Sequence, residues 1–254
     1  MDKDRIKELA ENPDFIPGIY NYCDRWCERC AFTSRCMNFA VEKEFFQEQE
    51  SSDEMNAAFW ETISSTFEVT ISMLYDLAQE RGIDLDAVGE DQDAGHELAM
   101  QRAREHICTI LAKKYREMAK EWLESSEVWT QDVAVKIPGV ISAGEAPGLQ
   151  ESKEIISWYL FLIEAKIVRA LHGKAEEEEC ELESYDRDAD GSAKVALMGI
   201  DRSLAAWGVV HANIVRDRQG VQDILFCLDR LRRKMETVFP QARSFVRPGF
   251  DDGQ

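Results

Sequence analysis

Along most of this 254-residue chain the hydrophobic positions recur at steps of three and four, the spacing that places them on one side of an α-helix. Residues 2–11 predict a short helix that stops near Pro13. Ser51-Ser52-Asp53-Glu54 is a helix-start pattern, and over 54–80 a single stripe holds Trp60, Ile63, Phe67, Ile71, Leu74 and Ala78, ending near Gly82. A second stripe, Ala103, Ile107, Ile110, Met118 and Trp122, predicts one helix over 97–124. Over 150–172 apolar residues lie almost all round. Ile156, Leu160, Ile163, Ile167 and Leu171 share one face, with Trp158 and Leu162 opposite, which is the pattern of a central helix covered on several sides. Two heptad-like helices follow. One carries Leu197, Ile200, Leu204, Trp207, His211 and Ile214, and the other Val221, Ile224, Leu228, Leu231, Met235 and Val238. A short turn around Gly220 joins them, so they are expected to pack antiparallel.

The places where the period fails divide the chain. Val133, Val135 and Ile137, followed by Pro138, Gly139, Gly144, Pro147 and Gly148, make a long connection with a strand-like piece. The organisation that results is a cysteine-rich lobe at 1–50, a helical pair at 51–126, an irregular connection at 127–149, one half of a helical bundle at 150–240 and an irregular tail at 241–254. The fold class is all-α, a helical bundle with an N-terminal Cys-rich metal- or cluster-binding lobe.

Composition narrows the setting. The formal net charge of -19 repels phosphate backbones and anionic headgroups, so neither nucleic-acid nor membrane-surface binding is expected. The first residues mix charges with no apolar core of a secretory signal, and the longest apolar run, 155–163, is too short for a bilayer. Seven cysteines, an odd number with four packed tightly together, fit a reducing cytoplasm better than a disulfide framework. A protein partner or a second copy of the chain is compatible with this composition.

The most specific chemistry lies in fourteen residues, where Cys23, Cys27, Cys30 and Cys36 are spaced C-x3-C-x2-C-x5-C. Thiolates are soft ligands, and four of them suit an iron–sulfur cluster or Zn2+. Arg25, Arg29 and Arg35 lie between the ligands, where their charges are expected to lower the thiol pKa values, and Trp26 and Phe32 are expected to shield the centre. Thr33 or Ser34 is a candidate cap for a helix over 36–50 presenting Phe39, Phe45 and Phe46. Cys23-x3-Cys27-x2-Cys30 matches radical-SAM spacing. However, Arg29 stands where those enzymes usually have an aromatic, a fourth cysteine follows, and no alternation of strands and helices comes after. Cys27-x2-Cys30-x5-Cys36 resembles the end of the [4Fe-4S] loop of endonuclease III-type DNA glycosylases, C-x6-C-x2-C-x5-C, over about fifteen residues. That resemblance implies a cluster-binding loop ligated by these cysteines. It does not extend to the enzyme, because Ile141 stands where the second glycine of the hairpin beginning Ile137-Pro138-Gly139-Val140 is needed. A [4Fe-4S] cluster, structural or electron-transferring, is therefore the leading expectation. The alternative is a zinc-stapled module for protein interaction, although zinc sites more often bring two C-x2-C knuckles.

Three other groups carry candidate chemistry. Glu164, Asp201 and His211 flank or interrupt apolar stripes and are candidates for an interhelical site of a metal-dependent or redox enzyme, set against a core polar network with Arg202 or Lys166. Residues 176–190 hold nine Asp/Glu, and Asp186-x-Asp188-x-Asp190-Gly191-Ser192 matches half of a Ca2+ loop, set against a plain helix start at Asp190 or Ser192. His172 is expected to end its helix. Arg230, Arg232, Arg233, Lys234, Arg243 and Arg247 form a basic region expected to dock on that acidic loop.

Overall fold

The computed structural model describes residues 3–45, 57–85, 90–126, 148–179, 188–214 and 217–251. Among them the fold is all-α, with no strand. The helices are α1 (Lys3–Ala10), α2 (Met37–Phe45), α3 (Ala57–Arg81), α4 (Glu90–Glu105), α5 (Ile107–Ser125), α6 (Leu149–Glu179), α7 (Asp188–Asn213) and α8 (Arg218–Val238). The 51–54 helix start, the 127–147 connection with its strand-like piece, and residues 180–187 of the acidic stretch lie outside the described residues. The chain divides into two units. One comprises residues 1–96 and 247–254, the other 97–246.

The second unit is a four-helix bundle, in which α5 packs on α6 and α8, and α7 on α6 and α8. Tertiary pairs fix the directions. Arg169 meets Asp188 and Tyr159 meets Arg202, so α6 and α7 run antiparallel. His211 meets Gln222 and Asp201 meets Arg232, which makes α7 and α8 antiparallel. The predicted stripes supply most of the core. Ile156, Leu160, Ile163, Ile167 and Leu171 of α6 are buried, as are Leu197, Ile200, Trp207 and Ile214 around α7 and Val221, Ile224, Leu228, Leu231 and Met235 of α8. At the centre, Trp207 stands edge-on to Trp122 with ring centroids 5.2 Å apart, and its Nε1 donates to the Tyr115 hydroxyl at 3.3 Å. Small residues on α7 let α6 approach closely. A Cβ added at Gly199 would stand 2.8 Å from Tyr159 Cδ1, so only glycine fits this crossing.

Three local expectations are corrected. The predicted 97–124 helix is two helices, broken at His106. The break re-phases the buried face, so Cys108, Leu111, Ala112, Tyr115, Ala119 and Trp122 turn inward while Ile107 and Ile110 are exposed. Gly220 lies inside α8 rather than at the turn before it, and the residue that precedes the helix, Asp217, takes the left-handed conformation (φ 56°). His172 lies inside α6 rather than at its end, with Glu176 one turn on at 3.4 Å.

His106 caps α5 by accepting the Cys108 N–H at Nδ1 (3.2 Å), which requires that nitrogen to be unprotonated. Burial holds the His106 pKa below its ordinary 6.5. Between the lowered folded value and 6.5 the unfolded chain binds more protons, so stability is complete above 6.5 and falls as pH drops through that window. Urea unfolding midpoints at descending pH are expected to show a loss of up to about 1 kcal/mol from this cap. His106→Asn, a cap that does not titrate, is expected to remove that component.

In the first unit α1 packs on α2, with Arg5 Nε donating to Glu44 Oε1 at 2.7 Å. Thr33 and Ser34 form a short 3-10 turn (Thr33–Arg35), so neither caps α2, which begins after Cys36. The amphipathic stripe of α3 is largely uncovered, with Ala78 buried but Phe67, Ile71 and Leu74 exposed. Buried side chains among the described residues of this unit are few: Leu9, Ile19, Tyr22 and Ala78.

Candidate metal centre

The cysteine segment is built from tight turns rather than long helices. Gly18 (φ 72°) leads into a 3-10 turn, Ile19–Tyr22, which delivers Cys23. Arg25 adopts φ 59°, reversing the chain between Cys23 and Cys27. A second 3-10 turn, Cys27–Arg29, separates Cys27 from Cys30, and Thr33–Arg35 delivers Cys36 at the start of α2. The backbone closes on itself where Ile16 N–H donates to Arg35 O at 3.0 Å.

Cys23, Cys27, Cys30 and Cys36 all line one pocket, walled by Ile19, Tyr20, Trp26, Phe32, Phe39 and Phe250, with a cavity of about 20 Å3 that opens to solvent. All four are free and partly accessible. They are not drawn into a tetrahedron around one point, since no three of their sulfurs lie within 4.8 Å of one another. The thiols nonetheless share one electrostatic environment. Burial pushes the Cys27 thiol up to about 11, reinforced by the negative charge of Glu42 and then by the other three cysteines. This corrects the expectation that the arginines lower the thiol pKa values at Cys27. Arg29 instead stacks on Trp26, its Cζ 4.1 Å from the ring centroid, and Arg35 donates to the Asp14 carbonyl at 3.4 Å. One sulfur already receives a backbone donor, Phe32 N–H to Cys30 Sγ at 3.4 Å.

One wall of the pocket was not foreseen. Residues 247–251 belong to the same unit as the cysteines, and the Phe250 ring stands edge-on to Phe32 at 5.1 Å. Arg247 holds this segment, pairing with Asp251 through Nε and Nη2 at 3.1 and 2.9 Å while its Cζ lies 4.8 Å from the Phe250 centroid. Gly249 makes the approach feasible. Its φ is 75°, and a Cβ there would stand 2.7 Å from Ile16 Cδ1. The glycine and the aromatic beside it were the available sequence signals, although neither points to a partner 200 residues earlier.

The other candidates do not assemble. Glu164 pairs with Arg116 at 2.5 Å, a partner the sequence reading missed. Asp201 pairs with Arg243 at 2.5 Å, and His211 Nε2 lies 3.2 Å from Gln222 Nε2. Asp201 and His211 are ten residues apart on α7, which separates them by about 15 Å along the axis. Asp188 and Asp190 lie in the first turn of α7, and Gly191 and Ser192 are buried within it, so this half of the proposed Ca2+ loop is helical. Docking of the basic region on the acidic stretch falls largely outside the described residues, since 180–187 are not among them, but four of its arginines have partners close by. Arg232 and Arg233 meet Asp229, Arg243 meets Asp201 and Glu236, and Arg247 meets Asp251.

No described helix is long and apolar enough to cross a membrane. The chain matches no family model, no curated protein and no solved structure.

Proposed function

We propose that this protein binds a [4Fe-4S] cluster through Cys23, Cys27, Cys30 and Cys36, and that the cluster holds together the lobe that carries them. The observation that carries this reading is four cysteines on one pocket, in a unit whose described residues bury hardly any apolar side chains. A segment of this size without a core usually needs a covalent or metal staple. The donor set fits an iron–sulfur cluster. Around one Zn2+, ligands at about 2.3 Å place the sulfurs of a tetrahedron roughly 3.8 Å apart. In a cubane each thiolate binds a different iron at a separate corner, so the four sulfurs need not converge on a single metal ion.

A bound cluster would supply a one-electron redox couple as well as a cross-link. The residues of the chain set its conditions. Trp26, Phe32, Phe39 and Phe250 restrict water, the Phe32 N–H stabilises charge on Cys30, and the partial exposure of all four cysteines leaves a path for electrons at the surface. The odd number and tight packing of the cysteines support a reducing compartment, the cytoplasm, as its setting.

The test is purification without oxygen, followed by a visible spectrum and assays of iron, acid-labile sulfide and zinc. A brown protein with about four irons and four sulfides per chain is the expected result. A colourless protein with one zinc per chain would sink the cluster reading and leave a zinc-stapled module.

A further inference from the structure

The apolar face of α3 is an unassigned surface of the first unit. Phe67, Ile71 and Leu74 are 64%, 51% and 54% exposed, and Tyr75 and Leu77 beside them 59% and 43%. At about 100° per residue the first three fall within roughly 60° of one another, with Tyr75 and Leu77 about 80° to either side of Phe67. Ser72 and Asp76, which take the Lys3 ammonium, lie on the opposite side of the helix. Contact with α1 therefore uses the polar face, and the apolar face stays exposed from Phe67 to Leu77, with Ala78 buried at its end.

We propose that this face is the seam of a homodimer, in which α3 of one copy packs against α3 of a second. Three observations favour a second copy over another partner. The spacing is self-complementary, since Phe67 and Leu74 are one heptad apart, as are Thr70 and Leu77, so two such helices can interleave. The area is of the right order, because five half-exposed large side chains leave on the order of 100 Å2 each, so two copies present about 1,000 Å2 of apolar surface, the scale of the smallest specific interfaces. The charges also agree. A chain of net charge -19 repels its own copy, so association needs a patch free of carboxylates. Over 64–79 the charged residues are Glu68, at the edge of the face, and Asp76, behind it. A basic partner would call for an acidic rim, which this face lacks.

Sedimentation of the full-length protein across a concentration series tests this. A mass twice the 29.1 kDa of one chain is expected, with the dimer strengthened at high salt as like charges are screened. Phe67→Glu and, independently, Ile71→Lys are expected to weaken the dimer at least tenfold with helical content unchanged. Gln79→Lys, outside the seam, should leave it intact. A single 29.1 kDa species at every concentration, or variants that dimerise like the parent, would overturn the proposal.

Discussion

Replacing Cys27 by serine is expected to abolish the visible absorption of anaerobically purified protein and to lower its iron content at least tenfold. Cys27 occupies the middle of the motif, and its thiol is the one that feels Cys23, Cys30 and Cys36 together. Serine offers a harder oxygen with a far higher pKa, unsuited to iron in a sulfide-bridged cluster. The structural consequence should be equally large. Among the described side chains of 3–44 burial is confined to Leu9, Ile19 and Tyr22, and the Arg5–Glu44 and Arg5–Glu8 pairs are exposed, a class of contact that adds little to stability. Ordering the backbone costs roughly 1 kcal/mol per residue, which these contacts do not offset without a cross-link. Limited proteolysis should therefore cut Cys27→Ser within 3–45 while the four-helix bundle survives. Cys227→Ser, buried in that bundle, is the control and should keep its iron. Parent-like iron content and protease resistance in Cys27→Ser would refute both the cluster and its structural role.

The second large effect is expected in the bundle. Trp207→Ala removes a fully buried indole, its edge-on contact with Trp122 and the donor to Tyr115. Large-to-small changes of this kind cost about 3–5 kcal/mol, partly through the cavity they leave. At about 2–4 °C per kcal/mol for a chain of this size, thermal melting should fall by roughly 10 °C. Trp207→Phe keeps most of the packing and loses the hydrogen bond, so it should cost less than half as much. A shift under about 3 °C for the alanine variant would mean that the centre of the bundle lies elsewhere.

The helices of the bundle were legible because each presents one apolar stripe to one core, and periodicity reports that arrangement directly. The stripes of α6, α7 and α8 are buried nearly residue for residue. Periodicity failed where a local contact re-phases the chain. The cap at His106 breaks one apparent helix and turns Ile110 outward, a hydrogen bond that no hydrophobic pattern encodes. It gave the α3 helix and its stripe correctly but not that much of the stripe faces outward, because a pattern specifies a face and not what covers it. The cysteines were legible by spacing, but the Phe250 wall depends on a contact across most of the chain. The Glu164, Asp201 and His211 group looked convergent in helical projection. Projection omits height along the axis and the arginines at 116 and 243 that claim two of the three.

The return of residues 247–251 to the cysteine unit has a consequence for the order of synthesis. The four thiols are made before the bundle and the aromatic wall opposite them after it. Until Phe250 has emerged, the cysteine pocket of a nascent chain lacks one side. Completion of the pocket thus waits on translation of the whole bundle, and a ribosome stalled within α8 would display the cysteines more openly than the folded protein does.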